Sequence, residues 1–288
     1  MYGYFTDRKY SGDFPHTDLA MERRKADTAI PGMDYSKEKA LFGSWERLKV
    51  TTKIAAESIG KPIGIYSTFC TDRMDMLDCA AIENAKDQLA REICMLLEQG
   101  DVFPEKVLVA GLGNPNLAPD SIGCLAAARV KPTMHISERD SNLFDSLRCA
   151  SIAVCTPNVM SNSGLSAAVT IRGICDIIKP DAVIAIDALA TRSPTRIGST
   201  LQICNTGICP GSGIGNHSIA IGEETLGVPV IAIGLPTVID ARMLCPEGSI
   251  DGNTITNMLV CPKEINDIVN SASEIIGDGI NRALGVLL

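Results

Sequence analysis

The sequence predicts an α/β fold, a central and mostly parallel sheet flanked by helices, on three observations. Four short runs, VLVAGL (107–112), SIAVCT (151–156), AVIAID (182–187) and PVIAIG (229–234), are almost continuously apolar, the pattern of strands buried on both faces of a parallel sheet. Helical patterns alternate with these runs, which is how a wound sheet is built. Apolar residues make up 45% of the 288 positions, enough to fill one large core.

The elements follow in order. The first ~45 residues read as polar and irregular, because Pro15, Pro31 and Gly32 break any regular pattern. PIGIYST (62–68) reads as a further strand. Residues 81–100 place Ile82, Ala85, Leu89, Ile93 and Leu96 on one helical face and stop at Gly100. After the strand at 107–112 comes the turn-rich stretch GLGNPNLAPDSIG (111–123), whose PDS is a good start for a helix over SIGCLAAARV. Residues 163–180 predict a helix ended by Pro180. Residues 262–285 align Ile265, Ile268, Val269, Ala272, Ile275 and Ile276 as one apolar stripe. No repeat, low-complexity tract or linker divides the chain, so one catalytic domain with an N-terminal extension is expected.

Bulk properties narrow the function. The net charge is −8, which disfavours direct nucleic-acid binding, where clustered Lys and Arg meet phosphates, and disfavours anionic membranes. No run of ~20 apolar residues predicts a transmembrane helix, and the N-terminus lacks the apolar segment of a signal peptide. A cytoplasmic location is expected, and the eleven cysteines then read as reduced thiols, mostly small core residues. Cys149/Cys155 and Cys204/Cys209 have the wrong spacing for zinc. No metal and no cofactor is expected.

Ligands of such sheets bind beyond the carboxyl ends of the strands, and GLGNPNLAPDSIG lies there. A dinucleotide loop needs G-x-G-x-x-G; Gly111 and Gly113 fit, but Asn116 takes the third place and Pro115 interrupts the turn. PGSGIGN (210–216) lacks the G-K-[S/T] ending of a phosphate loop and reads as a tight turn needing positive φ. GLGNP also looks like the opening of peptidyl-tRNA hydrolases, although here it starts at 111 and no histidine follows before His135. The remaining reading pairs Asp120 with Asp187, which ends an otherwise apolar strand at the same edge of the sheet. Each acid has a structural alternative: Asp120 starts a helix, and Asp187 caps the next segment or pairs with Arg192 or Arg196. Two neighbouring carboxyls split their pKa values, so one can accept a proton from water while the other donates one. No G-x-S-x-G elbow is present, and Asn205 replaces the acid in the pepsin-like triplet at 205–207.

Several stretches together resemble the germination proteases of spore-forming Firmicutes: HTDLAMER (16–23), VLVAGLGNPNLAPDSIGCLAA (107–127), PNVMSNSGL (157–165), residues 177–216, ETLGVPVIAIGLPTVIDA (224–241) and LVCPKEIN (259–266). The resemblance implies a fold like the hydrogenase-maturation endopeptidases and an atypical aspartic peptidase that degrades small acid-soluble spore proteins after an acidic residue in the spore core. It places the two catalytic acids on Asp120 and Asp187. It implies a zymogen that removes residues 1–18 by cutting Asp18–Leu19, leaving a single peptidase domain over 19–288, and it implies a homotetramer. Asn114, Arg192 and Arg196 are expected to support the site. The chain departs from the family in a short connector at 243–257, in Asn205-Thr206-Gly207 for Asp-Thr-Gly, and in abundant cysteine, with Cys124, Cys155, Cys204 and Cys209 near the expected cleft. Two other classes of function stay open: a nickel-dependent maturation peptidase using His135 or His217 as a third ligand, and a non-catalytic binding protein of the same fold.

Overall fold

The computed structural model describes residues 17–24, 30–98, 103–214, 218–244 and 258–286. In chain order the elements are α1 (Ala20–Arg23), β1 (Met33–Ala40), β2 (Gly43–Val50), α2 (Lys53–Ile59), β3 (Gly64–Cys70), α3 (Cys79–Leu97), β4 (Lys106–Gly111), α4 (Ile122–Arg129), α5 (Met134–Arg139), α6 (Ser141–Leu147), β5 (Ser151–Cys155), α7 (Met160–Ser163), α8 (Ala167–Ile178), β6 (Ala182–Thr191), β7 (Thr200–Cys204), α9 (Glu223–Leu226), β8 (Val230–Asp240), β9 (Leu259–Val260) and α10 (Ile265–Ala283). Local chemistry sets several boundaries. The Asp78 carboxylate accepts from the Ala81 N–H to start α3, and Thr52 and Ser166 cap α2 and α8 in the same way. Gly60 ends α2 in the left-handed region.

The strands form one sheet in the order β1-β2-β3-β7-β8-β6-β4-β5, with β9 added to β8. The four apolar runs read from the sequence are its parallel half, β5-β4-β6-β8. An antiparallel half, β1-β2-β3-β7, extends it through β8. The fold class is therefore the expected one, α/β with a large central sheet, but the sheet is mixed. The region read as irregular supplies β1 and β2 instead. β1 is exposed along most of its length, and its charged sequence MDYSKEKA carries no buried stripe that periodicity could reveal.

Helices cover both faces. On one, α3, α4 and α10 pack Leu89, Ile93, Ile122, Ile268, Ile275 and Ile276 against Val109, Ile184, Ile203 and Ile233. On the other, α8 and α9 cover Leu108, Ala185 and Val230, while α1 and α2 cover Leu48, Tyr66 and Cys204. The segment from Thr17 to Glu22 is part of this second face: Thr17, Leu19 and Ala20 are fully buried and Asp18 nearly so. Residues on both sides of the 18/19 bond thus pack as one unit in this structure. No helix among the described residues is long and apolar enough to cross a membrane.

Candidate active site

β4 stops at Gly111, opposite Ile186, and the chain turns through residues 112–121 into α4. Two close approaches make that turn feasible only with glycine. A Cβ on Gly113, whose φ is +96°, would stand 2.0 Å from the Asp120 carbonyl oxygen. A Cβ on Gly123 would meet the carbonyl oxygens of Leu112 and Ile186 at 2.3 and 2.4 Å. The glycines of GLGNPNLAPDSIG therefore fold a loop back onto itself and seat α4 on the sheet. Asp120 is half-buried at the end of that loop. Its Oδ2 accepts from the Asn114 N–H at 2.9 Å, and its carbonyl accepts from the same N–H at 3.1 Å. Asn114 thus supports Asp120 through its backbone, while its side-chain oxygen accepts from Asn116. The helix cap expected of Asp120 is absent: Ser121 holds the cap position of α4, and its hydroxyl donates back to the Ala118 carbonyl instead of accepting from a helix N–H.

Asp187 comes from β6. The strand does not end there but runs on to Thr191 alongside β8, with a register shift between Leu189 and Ala190. The acid sits one residue past the last β4 pairing. It pairs with Gly234 on β8, which pairs in turn with Gln202 on β7. The three positions share one face of the sheet, and the central one has no side chain. Asp187 is 4% exposed. Burial, then the charges of Asp120 and Asp18, push its pKa well above the ordinary carboxyl range; the Ala188 N–H is the opposing influence. Burial also raises Asp120, against the Asn114 N–H. The sheet edge therefore brings the two sequence-predicted acids together in one electrostatic environment. Cys124 lies in the same field: burial, Asp120 and Asp187 all raise its thiol. Burial pushes Cys155, at the end of β5, up to about 12.

A third acid, Asp18, completes the cluster. The Asp18 N–H donates to the Ala190 carbonyl at 2.9 Å, and the Ala190 N–H donates to Asp18 Oδ2 at 2.9 Å. The Ser212 hydroxyl donates to Oδ1 at 2.6 Å. The backbone around the Asp18–Leu19 bond is gripped by Gln202, whose Oε1 accepts from the Ala20 N–H at 2.7 Å and whose Nε2 donates to the Asp18 carbonyl at 3.4 Å. The Leu19 N–H donates to the Thr17 hydroxyl.

Arg192 and Arg196 do not reach the acid pair. Both stand 4.0 Å from Glu22, and Arg196 also pairs with Glu46 at 2.9 Å. They hold the N-terminal segment and the antiparallel half, because the chain leaves β6 at Thr191 and turns toward both. Asn205 accepts from the Ile65 N–H at 2.8 Å and so ties β3 to the turn after β7. His135 is exposed on α5, which packs on the β5 side of the sheet; His217 and residues 245–257 lie outside the described residues. Among the described residues, no group of three or more His, Cys, Asp or Glu side chains is placed to hold a metal ion.

Sequence reasoning missed Glu22, Gln202, Ser212 and Gly213. The cluster PGSGIGN carries the pattern of a tight turn, and its Ser-Gly pair is what contacts Asp18.

The germination protease family model matches residues 17–255. A germination protease of Clostridium perfringens is 34% identical over 93% of this chain and 94% of its own. One of Caldanaerobacter subterraneus is 33% identical, covering 93% of each. One of Bacillus cytotoxicus is 38% identical over 78% of this chain but 63% of its own length. Among solved structures, a NiFe hydrogenase maturation protease from Thermococcus kodakarensis is similar at 16% identity and a TM-score of 0.34, covering 64% of this chain and 96% of that one.

Proposed function

The chain belongs to the germination protease family, and from that premise we propose that it is an endopeptidase which cleaves small acid-soluble spore proteins after an acidic residue, in the cytoplasm of the spore core. Asp120 and Asp187 act as a metal-independent acid–base pair. The observation that carries this reading is the convergence of the two acids at the end of β4 with unequal environments. Asp187, buried and flanked by two carboxylates, keeps its proton and donates it to the departing amide nitrogen. Asp120, half-buried and oriented by the Asn114 N–H, takes a proton from the water that attacks the carbonyl carbon. One proton enters the pair as one leaves, and exchange with solvent resets it.

The protein is made as a zymogen and cuts Asp18–Leu19 itself. The burial of that bond beside Asp187 and the grip of Gln202 on its backbone support the assignment. A homotetramer is proposed on the family resemblance. Arg192 and Arg196 support the site indirectly, through Glu22.

Intact mass spectrometry of the full chain, and of Asp120→Asn and Asp187→Asn, tests the mechanism with and without a chelator. Loss of residues 1–18 in the parent alone, indifferent to chelator, is the expected result. Conversion that persists in either variant removes that acid from the mechanism, and loss with chelator replaces it with metal-assisted hydrolysis.

A further inference from the structure

Resting on that reading, we propose that Ser212, Gly213 and the backbone N–H of Ala190 form the pocket that recognises a carboxylate side chain on the residue preceding the cleaved bond, with Ser212 as its specificity-determining side chain. The pocket uses neither Asp120 nor Asp187.

Asp18 fills it. Its side chain lies in a residue only 7% exposed, and its two oxygens take separate donors, Ser212 at 2.6 Å and Ala190 at 2.9 Å. Gly213 supplies the room: a Cβ there would stand 2.2 Å from Oδ2 and 2.6 Å from Cγ. Two cations shape the potential around the carboxylate. Arg23 and Lys61 both feel the charge of Asp18, and they oppose the repulsion from Asp187. An apolar side chain in this place leaves the Ala190 N–H and the Ser212 hydroxyl without partners in a buried setting, which disfavours it strongly. An amide can be received by rotation of the Ser212 hydroxyl, but it forfeits charge assistance at both donors. The order of preference is therefore carboxylate, then amide, then apolar.

The test uses self-processing of the full chain, followed by intact mass, in a double-mutant cycle of Asp18→Ala and Ser212→Ala. Loss of a hydrogen bond to a charged group slows Ser212→Ala by about tenfold to a hundredfold. Asp18→Ala slows conversion at least as much. The double variant is no slower than Asp18→Ala, because Ser212 acts through the carboxylate. Ser212→Thr, which keeps the hydroxyl, restores most of the rate. Thermal melts verify that each variant folds, and Ser212→Cys, a weaker donor of similar size, replaces Ser212→Ala if that variant does not. Equal slowing by Ser212→Ala in both backgrounds, or no slowing at all, overturns the pocket while leaving the peptidase reading intact. A parent chain that stays uncut from mildly acidic to neutral pH overturns both.

Discussion

Replacing Glu22 by glutamine should loosen the whole N-terminal attachment. The Glu22 side chain is 6% exposed and accepts four hydrogen bonds. Oε1 takes the Thr191 hydroxyl at 2.5 Å and the Ser193 N–H at 3.2 Å; Oε2 takes the Thr17 hydroxyl at 2.5 Å and the Arg192 N–H at 2.8 Å. A glutamine has one acceptor oxygen. The two threonine hydroxyls can rotate and accept from the new amide, but a backbone N–H cannot. In either amide orientation one N–H, of Arg192 or Ser193, is left facing another donor. The better orientation sacrifices the longer Ser193 bond. Losing one charge-assisted bond and weakening three others costs about 2–4 kcal/mol. Urea unfolding followed by the fluorescence of Trp45, the single tryptophan, should show a lower midpoint at unchanged slope. Hydrogen exchange at Ser193 should accelerate with it. A loss below about 1 kcal/mol, the range of an exposed ion pair, would refute the reasoning.

Asp187→Asn should stabilise the fold at neutral pH. The native pKa of Asp187 is raised, so the native state holds a proton that the unfolded chain has released, and stability falls as pH rises between the two pKa values. The gain on substitution should vanish below about pH 4, the ordinary aspartate range, and grow above it, as denaturation at several pH values will reveal. Gly113→Ala forces a side chain into left-handed backbone and against the Asp120 carbonyl. It should reduce peptide cleavage by about a hundredfold through misplacement of the acid, an outcome contradicted by parent-like kcat/KM. Gln202→Leu strips the Ala20 N–H of its buried acceptor at a cost of about 1–3 kcal/mol; faster hydrogen exchange at Ala20 checks it.

The parallel half of the fold was legible because its strands are buried on both faces, and the helices of residues 79–97 and 265–283 because their apolar spacing is regular. β7, TLQIC, escaped notice since Gln202 interrupts a short apolar run. β1 escaped because an exposed edge needs no apolar alternation. For the site, the strand-end position of Asp187 and the turn chemistry around Asp120 single out two acids that the structure brings into one electrostatic environment. What no local pattern could reveal is the return of residues 17–22 to β6, since Glu22 and Arg192 lie 170 residues apart. For the same reason Arg192 and Arg196 were expected beside the acid pair, whereas their closest carboxylates are Glu22 and Glu46.

The grip on Thr17 and Asp18 has a kinetic consequence. If the 18–19 bond is cut as proposed, the upstream fragment stays tethered by Ala190, Ser212, Gln202, Glu22 and Arg23, so the product of that cut would also be the first competitor. Activity toward other chains then begins with a lag set by dissociation of that fragment. Added back in excess, a peptide ending in Thr-Asp would lengthen the lag, and dilution would shorten it.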